Sequence, residues 1–338
     1  MKNLCIFFIV FITSINFANA KTQDYNPNGK EEYIFDENNA NAVANDGYMD
    51  IHKSTKPESS VKLPYDKYKG MRSYIKKEIK GDPWIYYQLR LQNGENYYVW
   101  QLPSETTKFN GSLNRFITKY EVYKNLKGKI SEISNIKLSN TIKIDKVLTE
   151  GDKIFSVVLS NGAKYFGNSL KDAQILLSKI TDENDKDEIL NILNKDDIFL
   201  EYDKIENTFF LTMDVNSPPI SMFAKIIDGK ELLLITRVLY TGKDWLFSNK
   251  FLIYQNDKKF IKNNIDFNRE VKYGVKEYYH FKADNNYVDY IKSLTDTDDT
   301  LIRFYGENNH SDKVIDSKKI KRMKKVIRLY EILEKYYK

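Results

Sequence analysis

Residues 84–91, Trp84-Ile85-Tyr86-Tyr87-Gln88-Leu89-Arg90-Leu91, lead through Gln92-Asn93-Gly94-Glu95-Asn96 into Tyr97-Tyr98-Val99-Trp100-Gln101-Leu102. Two aromatic, β-rich runs of strand length flank an Asn-Gly pair, the strongest short-range hairpin signal, because Gly supplies the positive φ that a tight turn needs. A meander of antiparallel strands is the reading, and it organises the rest of the chain.

Downstream of the hairpin, short strands are expected at Thr141–Leu148, Lys153–Leu159 and, after the Asn161-Gly162 turn, Lys164–Phe166. Leu170–Ile180 then switches to helical spacing. Ser169 is placed to cap it, and Ala173, Leu176, Leu177 and Ile180 fall on one face. The style repeats further on. Strands are expected at Phe209–Val215, Ile220–Ile227, Leu232–Tyr240, Leu246–Tyr254 and Val275–Phe281, with Asp228-Gly229 as a turn. Asn286–Leu294 reads as a short helix and Leu301–Tyr305 as a strand. Lys318–Tyr337 reads as a long terminal helix started by Asp316 or Ser317. Runs of strands followed by helices, rather than strict alternation, indicate α+β: two antiparallel β-rich units, each covered by one or two helices.

The N-terminus has its own logic. Met1-Lys2-Asn3, an apolar run from Leu4 to Ile15, and Ala18-Asn19-Ala20 form a positive start, a greasy core and a small-residue cleavage site. This is the pattern of a secretory signal peptide, 1–20. Its apolar run is shorter than the ~20 residues a bilayer span needs. Cleavage after Ala20 removes Cys5, the sole cysteine, so disulfides and thiolate chemistry are excluded from the remainder. No later segment reads as a span, since the greasiest, Glu231–Tyr240, contains Arg237. The richness in Asn, Lys, Ile and Tyr fits an AT-rich bacterial genome. The absence of a cell-wall sorting signal favours the periplasm over the extracellular space. Residues 21–60, poor in bulky apolar side chains and carrying Asp36-Glu37-Asn38-Asn39-Ala40-Asn41, read as a flexible leader. Thr181–Asp187 is a second polar stretch and the expected boundary between an N-terminal unit, 61–182, and a C-terminal unit, 188–338.

Two echoes link these units. Gly81-Asp82-Pro83-Trp84-Ile85-Tyr86 resembles Gly242-Lys243-Asp244-Trp245-Leu246-Phe247, and Lys164–Asn168 resembles Arg303–Glu307. An internal duplication would explain both, although the interval between the echoes differs in the two halves. Trp84 and Trp245 are expected to be aromatic anchors in the cores of the two units, with ligand stacking as the alternative.

Chemical motifs are scarce. The 338 residues contain no phosphate-binding glycine loop, no Gly-x-Gly-x-x-Gly, no His-Glu-x-x-His and no Gly-x-Ser-x-Gly. No cofactor, metal or catalytic residue is therefore assigned. Of three histidines, His52 falls in the leader. His280 and Glu277, three apart on a strand, point to opposite faces. His310 and Asp312 would share a face only if extended, and their surroundings read as a turn. Asp296-x-Asp298-Asp299 lacks the glycine and distal Glu of a calcium loop and reads as an Asx-rich turn.

The charge asymmetry is more informative. Lys313–Lys338 holds ten basic and three acidic residues, in a chain with 53 Lys+Arg and 47 Asp+Glu overall. On a helical wheel Ile320, Met323, Val326, Ile327, Tyr330 and Leu333 face one way. Lys321, Lys324, Lys325, Arg328 and Lys335 face the other. A docked helix with a solvated basic face is the structural expectation. The functional one is docking to an acidic protein, an anionic polymer or a lipid surface, nucleic acid being disfavoured by compartment. The leading functional expectation is a non-catalytic envelope binding protein acting through a sheet face or this helix. A carboxylate- or His280-dependent hydrolase is the alternative, and a structural scaffold or assembly partner the third.

Overall fold

The computed structural model describes residues 27, 30–80, 85–101, 116–151, 153–166, 169–194, 197–214, 216, 218–227, 230–271 and 274–337. The expected signal peptide, residues 1–20, and Trp84, with the Gly81–Pro83 part of its echo, lie outside them. The fold is mixed α+β and β-rich, with seven helices and antiparallel sheets among the described residues. The chain divides into two units, Met1–Asn125 and Leu126–Lys338.

The first unit is built on the predicted hairpin. Its strands are β1 (Glu32–Phe35), β2 (Gly47–His52), β3 (Ser60–Pro64), β4 (Arg72–Lys80), β5 (Ile85–Leu91), β6 (Asn96–Gln101) and β7 (Ile117–Lys119). They form one antiparallel sheet in the order β3-β2-β6-β5-β4-β1-β7. At the β5–β6 turn Gly94 takes φ +88° and its N–H donates to Leu91 O at 2.9 Å, so the Asn-Gly signal does what its chemistry requires. Helices α1 (Ala40–Ala44) and α2 (Tyr65–Tyr68) pack beside β2 and β3.

The expected leader is corrected here. From Glu32 onward it supplies β1 and β2, both interior strands, and Tyr33, Phe35, Ala42, Tyr48 and Ile51 belong to the core. Its polar run is a folded turn. Asn39 Oδ1 caps α1 by accepting from Ala42 N at 3.0 Å, Asp36 Oδ1 accepts from Asn38 N at 2.9 Å, and the Tyr48 hydroxyl lies 3.1 Å from Asp36 O. Few apolar residues suffice when each lands on the buried side of a sheet that the other strands complete. Helix caps also draw on the residue types that mark disorder.

In the second unit α3 (Tyr120–Ser134), whose start precedes the division, leads to a three-stranded sheet of β8 (Ile144–Glu150), β9 (Lys153–Leu159) and β10 (Lys164–Phe166). Next come α4 (Ser169–Leu177) and α5 (Glu183–Ile192). A six-stranded sheet follows from β11 (Phe199–Asp203), β12 (Thr208–Thr212), β13 (Ile220–Ile227), β14 (Glu231–Gly242), β17 (Asn268–Val271) and β18 (Val275–Lys282), in the order β11-β12-β13-β14-β18-β17. A four-stranded sheet is formed by β15 (Lys250–Gln255), β16 (Lys258–Lys262), β19 (Thr300–Tyr305) and β20 (His310–Ile315), in the order β16-β15-β19-β20. Helices α6 (Asn285–Ser293) and α7 (Ser317–Leu333) complete the unit.

One core runs from Ile133 to Tyr337 across the expected boundary at 181–187. That acidic stretch is the start of α5. Asp182 Oδ1 accepts from Asn184 N at 2.7 Å, and Glu183 and Asp185 sit in the first turn, where the helix dipole favours negative charge. Helix α7 lies on β13 and β14, burying Ile320, Met323, Val326, Ile327, Leu329, Ile332 and Leu333. This is the predicted apolar face with Leu329 and Ile332 added, while Tyr330, expected on it, is only partly buried.

The strand order of the first unit does not recur in the second. The echoed segments also differ in context: β10 leads directly to α4, whereas β19 leads to β20. Instead, the two echo members of the second unit meet each other. A Cβ on Gly306 would sit 2.0 Å from Leu246 O, and Asn249 N donates to Tyr305 O at 3.1 Å.

Candidate binding surfaces

The basic face of α7 turns out to be largely committed within the chain. Arg328 clasps Glu188 of α5 through Nε and Nη2, both at 2.6 Å. Lys335 Nζ donates to Asp185 Oδ2 at 2.9 Å, and the Tyr336 hydroxyl reaches the same carboxylate at 2.7 Å. Lys325 and Arg322 share Asp197. Lys324 Nζ donates to Leu294 O at 2.7 Å and Asp296 Oδ1 at 2.8 Å. Among the five residues of the expected binding face, Lys321 is exposed and has no ion pair with a described residue.

The acids respond. Burial pushes Asp185 and Asp197 up, but Tyr336 with Lys335, and Lys325 with Arg322, outweigh it and hold both below the ordinary carboxylate range. The Arg328 hydrogen bonds do the same for Glu188. What the sequence shows as a surplus of positive charge is the matching half of an internal seam between α7 and the acids of 185–197.

Histidine and acid candidates are dispersed. His52 is buried, edge-on to Tyr86 at 6.1 Å, and so is part of the first unit rather than of a leader. His280 is exposed on β18, in register opposite Arg237 and edge-on to Tyr278 at 5.6 Å. Partial desolvation of its ring and then the Arg237 charge lower its pKa. His310 and Asp312 do share a face, because a strand, 310–315, begins directly after the expected turn at Glu307–Asn309, but Asp312 is held by Arg303 in two hydrogen bonds of 2.7 Å. The acidic turn before β19 is also spoken for. Asp296 pairs with Lys324, Asp298 Oδ1 accepts from Ser317 N at 2.6 Å, and Asp299 Oδ1 lies 3.0 Å from Nε2 of the buried Gln255. Among the described residues no group of three or more His, Cys, Asp or Glu could hold a metal ion. No described helix is long and apolar enough to cross a membrane.

Two surfaces remain. The first is the outer face of the four-stranded sheet. Strand alternation buries Phe251, Ile253, Ile302 and Phe304 and turns Leu252, Tyr254, Leu301, Arg303 and Tyr305 outward. Register places Lys259, Tyr254, Leu301 and Val314 in one row, Ile261, Leu252, Arg303 and Asp312 in the next, and Lys250, Tyr305 and His310 in a third. Ile261, on edge strand β16, is 48% exposed and Val314, on the opposite edge strand β20, is 53% exposed, with the half-buried Leu252, Tyr254 and Leu301 between them. The sole acid of these rows is taken by Arg303, leaving the charges of Lys250 and Lys259 at the rim. On both outer faces cations lie over rings, Lys250 over Tyr305 at 4.5 Å on the four-stranded sheet and Lys225 over Phe210 at 5.6 Å and Arg237 over Tyr278 at 4.6 Å on the six-stranded one, so what sets the four-stranded face apart is its exposed aliphatic side chains.

The second surface is the loop 243–249 between β14 and β15, whose residues 246–249 are expected from the sequence to begin the strand Leu246–Tyr254. Trp245 is half-buried and is not a core anchor; Leu246 fills the core beside it. Phe247 is 53% exposed with φ +55°. A bulky residue in that region costs roughly 1–3 kcal/mol and persists only where its surroundings dictate it. Glu277 of β18 dictates it. This fully buried carboxylate accepts from Leu246 N at 2.6 Å, Phe247 N at 2.8 Å and Ser248 N at 2.6 Å. In the sequence Glu277 falls on the face opposite His280, with no sign of its partners, which are backbone groups some thirty positions away.

Compared with family models, with curated proteins and with solved structures, the chain matches none.

Proposed function

We propose that this chain is an exported, non-catalytic binding protein, periplasmic in its cell, that engages a protein partner through the outer face of its four-stranded sheet. Export rests on the 1–20 pattern. Binding rests on one observation: Ile261 and Val314, at 48% and 53% exposure, extend a contiguous apolar patch of Leu252, Tyr254 and Leu301 with lysines at its edge. Contiguous exposed apolar surface rimmed by polar groups marks interaction sites, and burying each such side chain is worth about 1.5–3 kcal/mol. The basic helix, the other expected surface, is a weaker carrier because four of its five named cations already have acids. The hydrolase alternative loses its histidine to an open sheet face with an arginine opposite.

A photo-crosslinking side chain placed at Ile261 or Val314 tests the proposal in cells that make the protein. Ile205, 96% exposed in the β11–β12 turn, is the control. A discrete adduct from positions 261 and 314, absent from 205 and abolished by Leu301→Asp, is the expected result. Identical adduct patterns at all three positions would count against the sheet face.

A further inference from the structure

We infer that the 245–248 loop and the edge strand β17 together form a second recognition site, which takes an extended polypeptide segment bearing a carboxylate. Three observations converge there. First, the fold holds an exposed aromatic in a conformation its backbone disfavours, and the device that holds it, Glu277, is buried and uses its oxygens on three loop N–H groups. An exposed Phe gains the core nothing, so the arrangement fits presentation of the ring outward, with Trp245 6.2 Å from it.

Second, the Arg269 guanidinium sits 5.5 Å from the Phe247 ring centroid and its charge is weakly committed. Its nearest carboxylate is Glu277 at 3.9 Å, already engaged by the loop, and its hydrogen bond to Ser248 O is long at 3.5 Å. The neighbouring Glu270 pairs instead with Lys276 at 3.6 Å, and in the loop Lys243 and Asp244 offset each other. A planar guanidinium beside an aromatic face suits a carboxylate attached to an apolar neighbour.

Third, among the described residues β17 ends the six-stranded sheet. It pairs with β18 on one side, all four of its residues are exposed, and Val271 is 74% exposed. An added strand would pair with its free backbone edge and lay alternate side chains beside Arg269 and Phe247. A lipid headgroup could answer the guanidinium but not the backbone edge, so the polypeptide is the better fit.

This inference stands apart from the sheet-face proposal, and the two fail separately. The test uses the full chain and fluorescein-labelled hexapeptides: alternating valine and glutamate, alternating valine and lysine, and the glutamate peptide with a central proline. Anisotropy should show the glutamate peptide binding at least tenfold more tightly than either of the others. Arg269→Gln should weaken it at least fivefold. Phe247→Gly should weaken it as much while leaving the melting temperature equal or higher, because glycine takes φ +55° without strain. That combination separates presentation of the ring from support of the fold, and it carries the test if Arg269→Gln melts early. Val314→Glu, on the other surface, should leave peptide binding unchanged. Equal binding of the glutamate and lysine peptides would overturn the inference. So would full affinity in Phe247→Gly, or Arg269-dependent binding to phosphatidylglycerol vesicles with none to peptide.

Discussion

Replacing Glu277 by Gln keeps the size of the side chain and removes its charge, which makes it a clean probe of the loop. In the native protein both carboxylate oxygens accept, Oε1 from Leu246 N and Phe247 N and Oε2 from Ser248 N, and the residue is fully buried. An amide has one accepting oxygen. Whichever way it turns, its NH2 group faces at least one main-chain N–H, leaving a buried donor without an acceptor at about 1–3 kcal/mol. Bonds that survive change from charge-assisted to neutral, a loss of roughly 1 kcal/mol each. Relief of the buried charge returns a part, so a net destabilisation of about 2–4 kcal/mol is expected. For a unit of this size, each kcal/mol moves the melting temperature by roughly 2–4 °C, giving about 5–15 °C. Hydrogen exchange localises the effect: the 246–248 amides should lose protection while those of β13 stay closed. A variant that melts within a degree of wild type with 246–248 still protected would refute the claim that Glu277 holds the loop.

Further outcomes follow from the same geometry. Gly306→Ala places a Cβ 2.0 Å from Leu246 O, a backbone atom, and should destabilise by about 1–3 kcal/mol in a denaturant melt. Removing the chain from Asp316 onward uncovers the core under α7, which buries seven apolar residues, and should give an insoluble product. A truncated protein that is soluble, monomeric and cooperatively folded would show that α7 is dispensable. Asp185, Glu188 and Asp197 have folded pKa values lowered by their basic partners, so their contribution is full above the ordinary carboxylate pKa. It is lost as pH falls from about 4 through the folded values. The melting temperature should therefore be flat from neutral pH to about 5 and drop below that, and Asp197→Asn should shallow the drop. Arg328→Glu should destabilise measurably where Lys321→Glu does not, since Arg328 meets Glu188 and Lys321 meets no acid.

Much of this architecture is legible in the sequence because local chemistry and tertiary position agree. The Asn93-Gly94 turn, the alternating strands 220–227 and 232–240, and the apolar stripe of α7 each carry their own periodicity. What is illegible is whatever depends on a distant partner. Asp36-Glu37-Asn38-Asn39 has the composition of a tether, and Thr181–Asp187 that of a linker, yet both are capped helix starts; a capping side chain and a disordered one are the same residue. Strands β16, β17 and β20 are short, charged or exposed, so the edge positions that keep them soluble also erase their hydrophobic signal.

The same reasoning decides which surface can be functional. A charge count from Lys313 to Lys338 registers ten basic residues without registering Asp185, Glu188 and Asp197, and so turns an internal seam into an apparent binding face. The count in the other direction is equally blind. Glu277 looks like one more surface carboxylate until its three N–H donors are in place, and Phe247 looks like one more strand residue until its φ is known. Charge that is matched within the chain stabilises and is silent toward partners. By contrast, the aliphatics Ile261 and Val314 and the ring of Phe247 are exposed and the guanidinium of Arg269 is loosely held, which is why both binding proposals rest on them.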